Sequence, residues 1–127
     1  MSGKVVHFEI PADDVERASS FYAAAFDWKL QSMPGMGYTL ITTTPTDDQG
    51  MPSEPGAING GMFTRLADIA TPVITVDVAD MDAALARVEA LGGQVVRGKE
   101  PVGDMGFAAY FTDTEGNLMG LWQTASA

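Results

Sequence analysis

The one histidine of this 127-residue chain, His7, stands two residues before Glu9 in Val5-Val6-His7-Phe8-Glu9-Ile10. An imidazole titrates near neutral pH and a carboxylate takes protons or hydrogen bonds. The pair therefore has the parts for acid–base chemistry or for holding a polar ligand. In an extended strand side chains alternate, so His7 and Glu9 share one face and Val6, Phe8 and Ile10 the other. The apolar face asks for a helix. The His7–Glu9 face is then a polar cavity wall or a solvated sheet surface. Residues 72–78 alternate in the same way, with Val73, Thr75 and Asp77 on one face and Ile74, Val76 and Val78 on the other. Near the end of the chain Leu118, Gly120 and Trp122 share a face. His7, Glu9, Thr75, Asp77, Gly120 and Trp122 form the candidate ligand-binding set, with His7 and Glu9 the catalytic candidates. Tyr38 and Tyr110 read as half-buried strand residues rather than catalysts. A buried, unpaired carboxylate is costly, so Glu9 and Asp77 need partners or water if their face is enclosed. There is no cysteine, hence no thiolate nucleophile or thiolate metal site, and His7 has no serine nearby in a sharp turn.

The elements that position these residues follow from periodicity. Residues 4–10 predict a strand. A helix over 14–26 follows, with Asp13 as N-cap, Glu16 three residues on, and Val15, Ala18, Phe21, Tyr22 and Ala25 as its buried stripe. Residues 28–32 and 37–43 predict strands joined by a turn at Met33-Pro34-Gly35-Met36. The Pro- and Gly-rich segment 44–57 predicts the longest loop and a mobile flap. A strand at about 57–63 contains Gly60-Gly61, which implies close backbone approach or a bulge. Further on, 72–78 predicts a strand and Asp80 caps a helix to about 91, with Met81, Ala84, Leu85, Val88 and Leu91 inward and Gly92-Gly93 as its C-terminal stop. Strands follow at 94–97, 107–112 and 118–123, with Gly98–Gly106 a second loop able to close over the site. Thr114-Glu115-Gly116-Asn117 turns the last hairpin.

The second half repeats the first. A shift of 66 residues carries His7 onto Val73, Ile10 onto Val76, Asp14 onto Asp80 and Ala18 onto Ala84. The fold class expected is α+β: two β-α-β-β-β modules forming a curved mixed sheet around a central trough, with the helices outside. The chain reads as a single domain over 1–127, with module one at 1–63, a linker at 64–71 and module two at 72–127.

Composition excludes several classes. The formal net charge of −10 provides no basic patch for nucleic acid or an anionic membrane surface. No apolar run approaches the roughly 18 residues of a membrane span, and no leader-like segment opens the chain. The expected location is cytoplasmic.

Paired β-α-β-β-β modules, His7 on the first strand, Asp14-Val15-Glu16-Arg17-Ala18 and Phe21-Tyr22 on the first helix, Leu91-Gly92-Gly93, and Asp113-Thr114-Glu115-Gly116-Asn117 together resemble the vicinal oxygen chelate superfamily. That superfamily includes glyoxalase I, extradiol dioxygenases and bleomycin-resistance proteins. The resemblance implies four metal-ligand positions, one each on the first and last strand of either module. His7 matches the first. The second falls near Ile58 to Gly60, the third on Val73 and the fourth on Gly120. One ligand in four remains, so the expectation is no metal and no cofactor, although Glu9 and Asp77 offer oxygens from which a site could be rebuilt. The function expected is metal-independent small-molecule binding by a homodimer. The alternatives are a lyase, isomerase or oxygenase with a rebuilt metal site or His7/Glu9 acid–base chemistry, and a subunit whose role is assembly. With carboxylates on the wall, and Lys4, Arg65, Arg97 and Lys99 scattered, the wall is expected to prefer neutral or cationic aromatic compounds and to lack glyoxalase I activity.

Overall fold

The computed structural model describes residues 3–125. Among the described residues, eight strands of mixed direction and two helices, in the order β-α-β-β-β twice, make the class α+β. The elements are β1 (Val5–Ala12), α1 (Val15–Phe26), β2 (Lys29–Met33), β3 (Tyr38–Thr42), β4 (Asn59–Thr64), β5 (Val73–Asp77), α2 (Met81–Ala90), β6 (Gln94–Val102), β7 (Gly106–Thr112) and β8 (Leu118–Thr124). No helix among the described residues is long and apolar enough to cross a membrane. Contacts group residues 7–72 into one compact unit and residues 3–6 with 73–125 into another.

In the first unit the strand order is β2-β3-β4-β1, with β1 parallel to β4 and the other pairs antiparallel. Helix α1 begins one residue later than the sequence suggests. Asp14, in extended backbone, accepts a hydrogen bond from the Arg17 N–H at 3.0 Å. Asp13 is still in the turn that leaves β1 and pairs with Arg65 at 2.9 Å. Val15, Ala18 and Tyr22 pack with Phe8, Ile10, Trp28 and Leu30 on a core of Ala12, Ile41 and Met62. The expected stripe is narrower in fact: Phe21 and Ala25 point outward, Phe21 with 60% of its surface exposed. Trp28, just past the helix, takes up the space by stacking on Tyr22 at 5.0 Å. The segment expected as a mobile flap folds on itself. Asp47 accepts the N–H groups of Gln49 and Met51 at 2.9 and 3.0 Å, and Thr46 bridges to Pro52.

In the second unit the order is β5-β8-β7-β6, with β5 parallel to β8. Asp80 caps α2 by accepting the Ala83 N–H at 3.1 Å, and the Met81 N–H binds the Gln123 side-chain carbonyl at 2.6 Å, which ties the helix start to β8. Met81, Ala84 and Leu85 pack on Ala109 and Leu121. Leu91, expected in the stripe, is 71% exposed because the helix has already ended. Asp113 closes the β7–β8 hairpin. Its carboxylate accepts the N–H groups of Glu115 and Asn117 and the Asn117 amide, and the Asn117 bonds hold its pKa below the usual carboxylate value. The residues 98–106 expected as a closing loop are mostly strand: β6 runs on to Val102 and leaves a turn of three residues.

Candidate functional site

The register of the first unit decides which side chains share a face. His7 pairs with Asn59, Glu9 with Gly61 and Pro11 with Phe63 across β1 and β4. Tyr38 pairs with Phe63 and Leu40 with Gly61 across β3 and β4. Directly paired residues point the same way, so His7, Glu9, Tyr38 and Gly61 lie on the face turned away from the α1 core. The alternation read from the sequence holds, and Glu9 is nearly buried at 8% exposure.

Tyr38 joins the two candidates. Its hydroxyl donates to Glu9 Oε2 at 3.0 Å and lies 2.9 Å from His7 Nε2. A phenol has one proton to give. With that proton on Glu9, His7 Nε2–H is the donor to the phenol oxygen, and the neutral ring keeps Nδ1 as an acceptor. Burial pushes the His7 pKa down from 6.5, and the Glu9 charge offsets part of that. The imidazole is therefore neutral at neutral pH.

The phenol reaches this place because residue 61 is glycine. A Cβ there would overlap the Tyr38 hydroxyl end, which lies diagonally across the strand. On the opposite face a Cβ at Gly60 would meet first the Phe8 backbone carbonyl oxygen and then the Phe8 ring, at 2.8 Å. The Gly60-Gly61 pair is thus close approach on both faces of β4, by the backbone and ring of Phe8 at Gly60 and by the Tyr38 phenol at Gly61, and no bulge. Sequence reasoning passed over Tyr38 as a site residue. The usable signal was a paired glycine opposite a β-hairpin aromatic.

In the second unit Thr75 pairs with Gly120 and Asp77 with Trp122. The shared face expected for Thr75, Asp77, Gly120 and Trp122 is present. Gly120 does not open space, as a glycine between larger residues suggests. A Cβ on it would meet Thr75 Oγ1 at 2.8 Å and Val73 Cγ1 at 3.2 Å, so those side chains already cover it. Trp122 lies across Gly106, where an added Cβ would be 2.7 Å from the indole, and its Nε1–H donates to Thr124 Oγ1 at 3.1 Å.

The repeat also corrects the second ligand position. The offset of 66 residues carries Thr75 onto Glu9; Thr75 pairs with Gly120 and Glu9 with Gly61. The counterpart of Gly120 is therefore Gly61, just past the stretch Ile58 to Gly60. Both last-strand positions are glycines, and each is overlaid by a side chain of its own unit. His7 Nε2, the natural donor to a metal, is committed to Tyr38. Among the described residues no three of His, Asp or Glu are grouped to hold a metal ion. A divalent ion with N and O ligands needs about four donors at roughly 2.0–2.2 Å, and this donor set does not fit one.

The family model described as Bleomycin resistance protein-like N-terminal matches residues 4–44. A glyoxylase-like domain-containing protein of Didymella fabae is 31% identical over 122 residues, spanning 92% of this chain and 91% of its own. The chain belongs to the vicinal oxygen chelate superfamily. A Mycobacterium bovis protein that bears the name Putative glyoxylase CFP32 is 32% identical over 120 residues, 91% of this chain; the chain spans 43% of its length, less than half. The fold of this superfamily member is shared with a Streptomyces coelicolor methylmalonyl-CoA epimerase variant in complex with 2-nitronate-propionyl-CoA. That protein has a TM-score of 0.65 and 17% identity, with 99% of this chain and 100% of that one covered. Structural neighbours of this kind bind small-molecule CoA esters.

Proposed function

We propose that this superfamily member binds a small organic molecule and works without a resident metal ion. The observation that carries the reading is the Tyr38 phenol lying across Gly61. It occupies the place from which a last-strand ligand would project and engages His7, the one retained ligand position. The polar face offers neutral donors and acceptors and one carboxylate in place of a Lewis acid. We further propose a single domain over 1–127 with modules at 1–63 and 72–127, a cytoplasmic homodimer, and neither nucleic acid nor membrane as partner, in keeping with the net charge of −10. Native mass spectrometry of freshly purified protein tests these together, with elemental analysis after dialysis free of chelator. The expected result is a dimer mass, no divalent ion and a retained or titratable small molecule. About one equivalent of zinc, nickel, manganese or iron, lost on His7→Ala, would overturn the metal-independent reading.

A second reading rests on the same hydrogen-bond chain. An imidazole held neutral, a phenol and a carboxylate in series can move a proton between His7 Nδ1 and Glu9. This favours acid–base catalysis on a bound ligand, with Glu9 or His7 as base and Tyr38 as relay. A ligand-dependent solvent-deuterium exchange abolished by Tyr38→Phe, with binding retained, would support it.

A further inference from the structure

The outer strands of the second unit hold a cavity of about 90 Å³, lined by Arg97, Gly98, Glu100, Pro101, Val102, Ala108 and Tyr110. Its position depends on two irregularities in β6. Val95 pairs with Phe111, but Arg97 pairs with Tyr110, so β6 advances two residues while β7 advances one. Val95 therefore faces the side of Phe111, which packs on the α2 core, and Arg97 faces the side of Tyr110. Simple alternation would have put Val95 and Arg97 on one face. The extra residue turns the guanidinium over to the face of Gly120, the register partner of Tyr110.

The second irregularity keeps it there. Glu100 pairs with Ala108, again one residue more on β6 than on β7. Ala108 shares a face with Tyr110 and pairs with Trp122. Arg97 and Glu100 thus emerge together, with Tyr110, Ala108 and Trp122, on the face that carries Thr75 and Asp77. Lys99, between them, goes the other way, to Asp82 at 3.3 Å and over the Phe107 ring at 4.5 Å. Bulges are common on edge strands such as β6, and here the two of them re-aim Arg97 and Glu100 toward the cavity.

We infer that Arg97 and Tyr110 form a seat for a ligand carboxylate, with the apolar body of an aryl monocarboxylate laid along Ala108, Val102 and Trp122. This rests on the small-molecule-binding reading and names the ligand class. A guanidinium carries five N–H donors in a planar fork that matches a carboxylate, so it serves a ligand while keeping a protein partner. The cavity holds a carboxylate but not an aromatic ring, which must lie outside on the apolar strip. Glu100 in the lining repels any anion, and a doubly charged one twice as strongly, which favours one negative charge over two. The guanidinium also revises the expectation of a wall suited to cations: the β6 irregularity puts Arg97 on a face where alternation alone would not.

The test is an amide and Arg Nε–H chemical-shift titration of the full chain with benzoate, benzamide, benzylamine and inorganic phosphate. Benzoate should saturate shifts at Arg97, Tyr110 and Ala108, with an affinity at least about tenfold above benzamide and benzylamine. Arg97→Gln should lower benzoate affinity about tenfold or more, Arg97→Lys several-fold, and Lys99→Gln not at all. Dispersed spectra of the variants show that the fold survives, and Tyr110→Phe provides a second, milder lesion on the same seat. Benzoate binding unchanged in Arg97→Gln overturns the seat, as does phosphate matching benzoate. Benzamide or benzylamine saturating where benzoate does not overturns the seat and leaves small-molecule binding standing. If no probe saturates and no retained molecule is seen by native mass spectrometry, both inferences fall.

Discussion

Replacing Gly61 by alanine tests whether Tyr38 or the backbone requires that glycine. The added Cβ falls among the hydroxyl, Cζ and Cε2 atoms of Tyr38. The obstacle is the far end of a side chain, so the phenol can swing away. It then gives up its bonds to Glu9 at 3.0 Å and His7 at 2.9 Å. The bond to a carboxylate contributes about 1.5–3 kcal/mol and the bond to a neutral ring about 0.5–1.5 kcal/mol. Removing glycine from a strand interior returns about 0.5–1 kcal/mol. Gly61→Ala should therefore destabilise by about 2–3 kcal/mol overall.

The control is the same substitution in a Tyr38→Val background. Valine suits the strand and does not reach across to residue 61. There Gly61→Ala should be neutral or stabilising, within about 0.5–1 kcal/mol. Urea unfolding of the four proteins gives the coupling by linear extrapolation, expected at about 2–4 kcal/mol. An equal loss in both backgrounds would refute the argument, since the β4 backbone, and not the phenol, would then demand glycine.

His7 provides a pH signature. Its folded pKa lies below the unfolded value of 6.5, so stability is fully present above pH 6.5 and is lost as pH falls toward the folded pKa, because the unfolded chain takes up the proton first. His7→Gln should remove that part of the slope in urea midpoints, and NMR of the single histidine should show the depressed titration directly; a midpoint at or above 6.5 would contradict the burial argument. Gly120→Glu restores a carboxylate at the last-strand position of module two, yet its Cβ meets Thr75 and Val73 at 2.8 and 3.2 Å. It should lower stability and give no tight metal uptake, and stable zinc binding by calorimetry would refute the account of a covered position.

The strong periodic signals were readable without a structure. Alternation in Val5–Ile10 and Val73–Val78, the offset between modules and the Asp80 cap all depend on local rules that tertiary packing did not override. What stayed hidden depends on pairing between strands. Asp13 is the cap expected from the sequence, but β1 runs to Ala12 and the turn that follows leaves the cap to Asp14. The second ligand position was set short of Gly61 because loop lengths differ between modules and only the register aligns them. Arg97 looked scattered because a bulge leaves no reliable mark in a single sequence; Gly98 beside it was read as the start of a loop.

The two glycines bear on what sort of site this face can be. Had one carboxylate simply been trimmed, a hole would remain and a ligand or ion could fill it. Instead Gly61 lies under Tyr38, and Gly120 under Thr75 and Val73. Each position is closed by a neighbour that brings its own polar atom: a phenol in the first unit, a threonine hydroxyl in the second. Phenol and hydroxyl can each give and take a hydrogen bond, whereas a carboxylate only accepts. Each glycine is therefore covered by a side chain that carries a neutral donor–acceptor group, and the face stays packed. Restoring a metal ligand would need the glycine replaced and its covering side chain removed in the same unit, two changes of which either alone costs packing. The polar groups on these faces include His7, Tyr38 and Glu9 in one hydrogen-bond chain in the first unit, and Thr75, Asp77, Glu100 and Arg97 in the second.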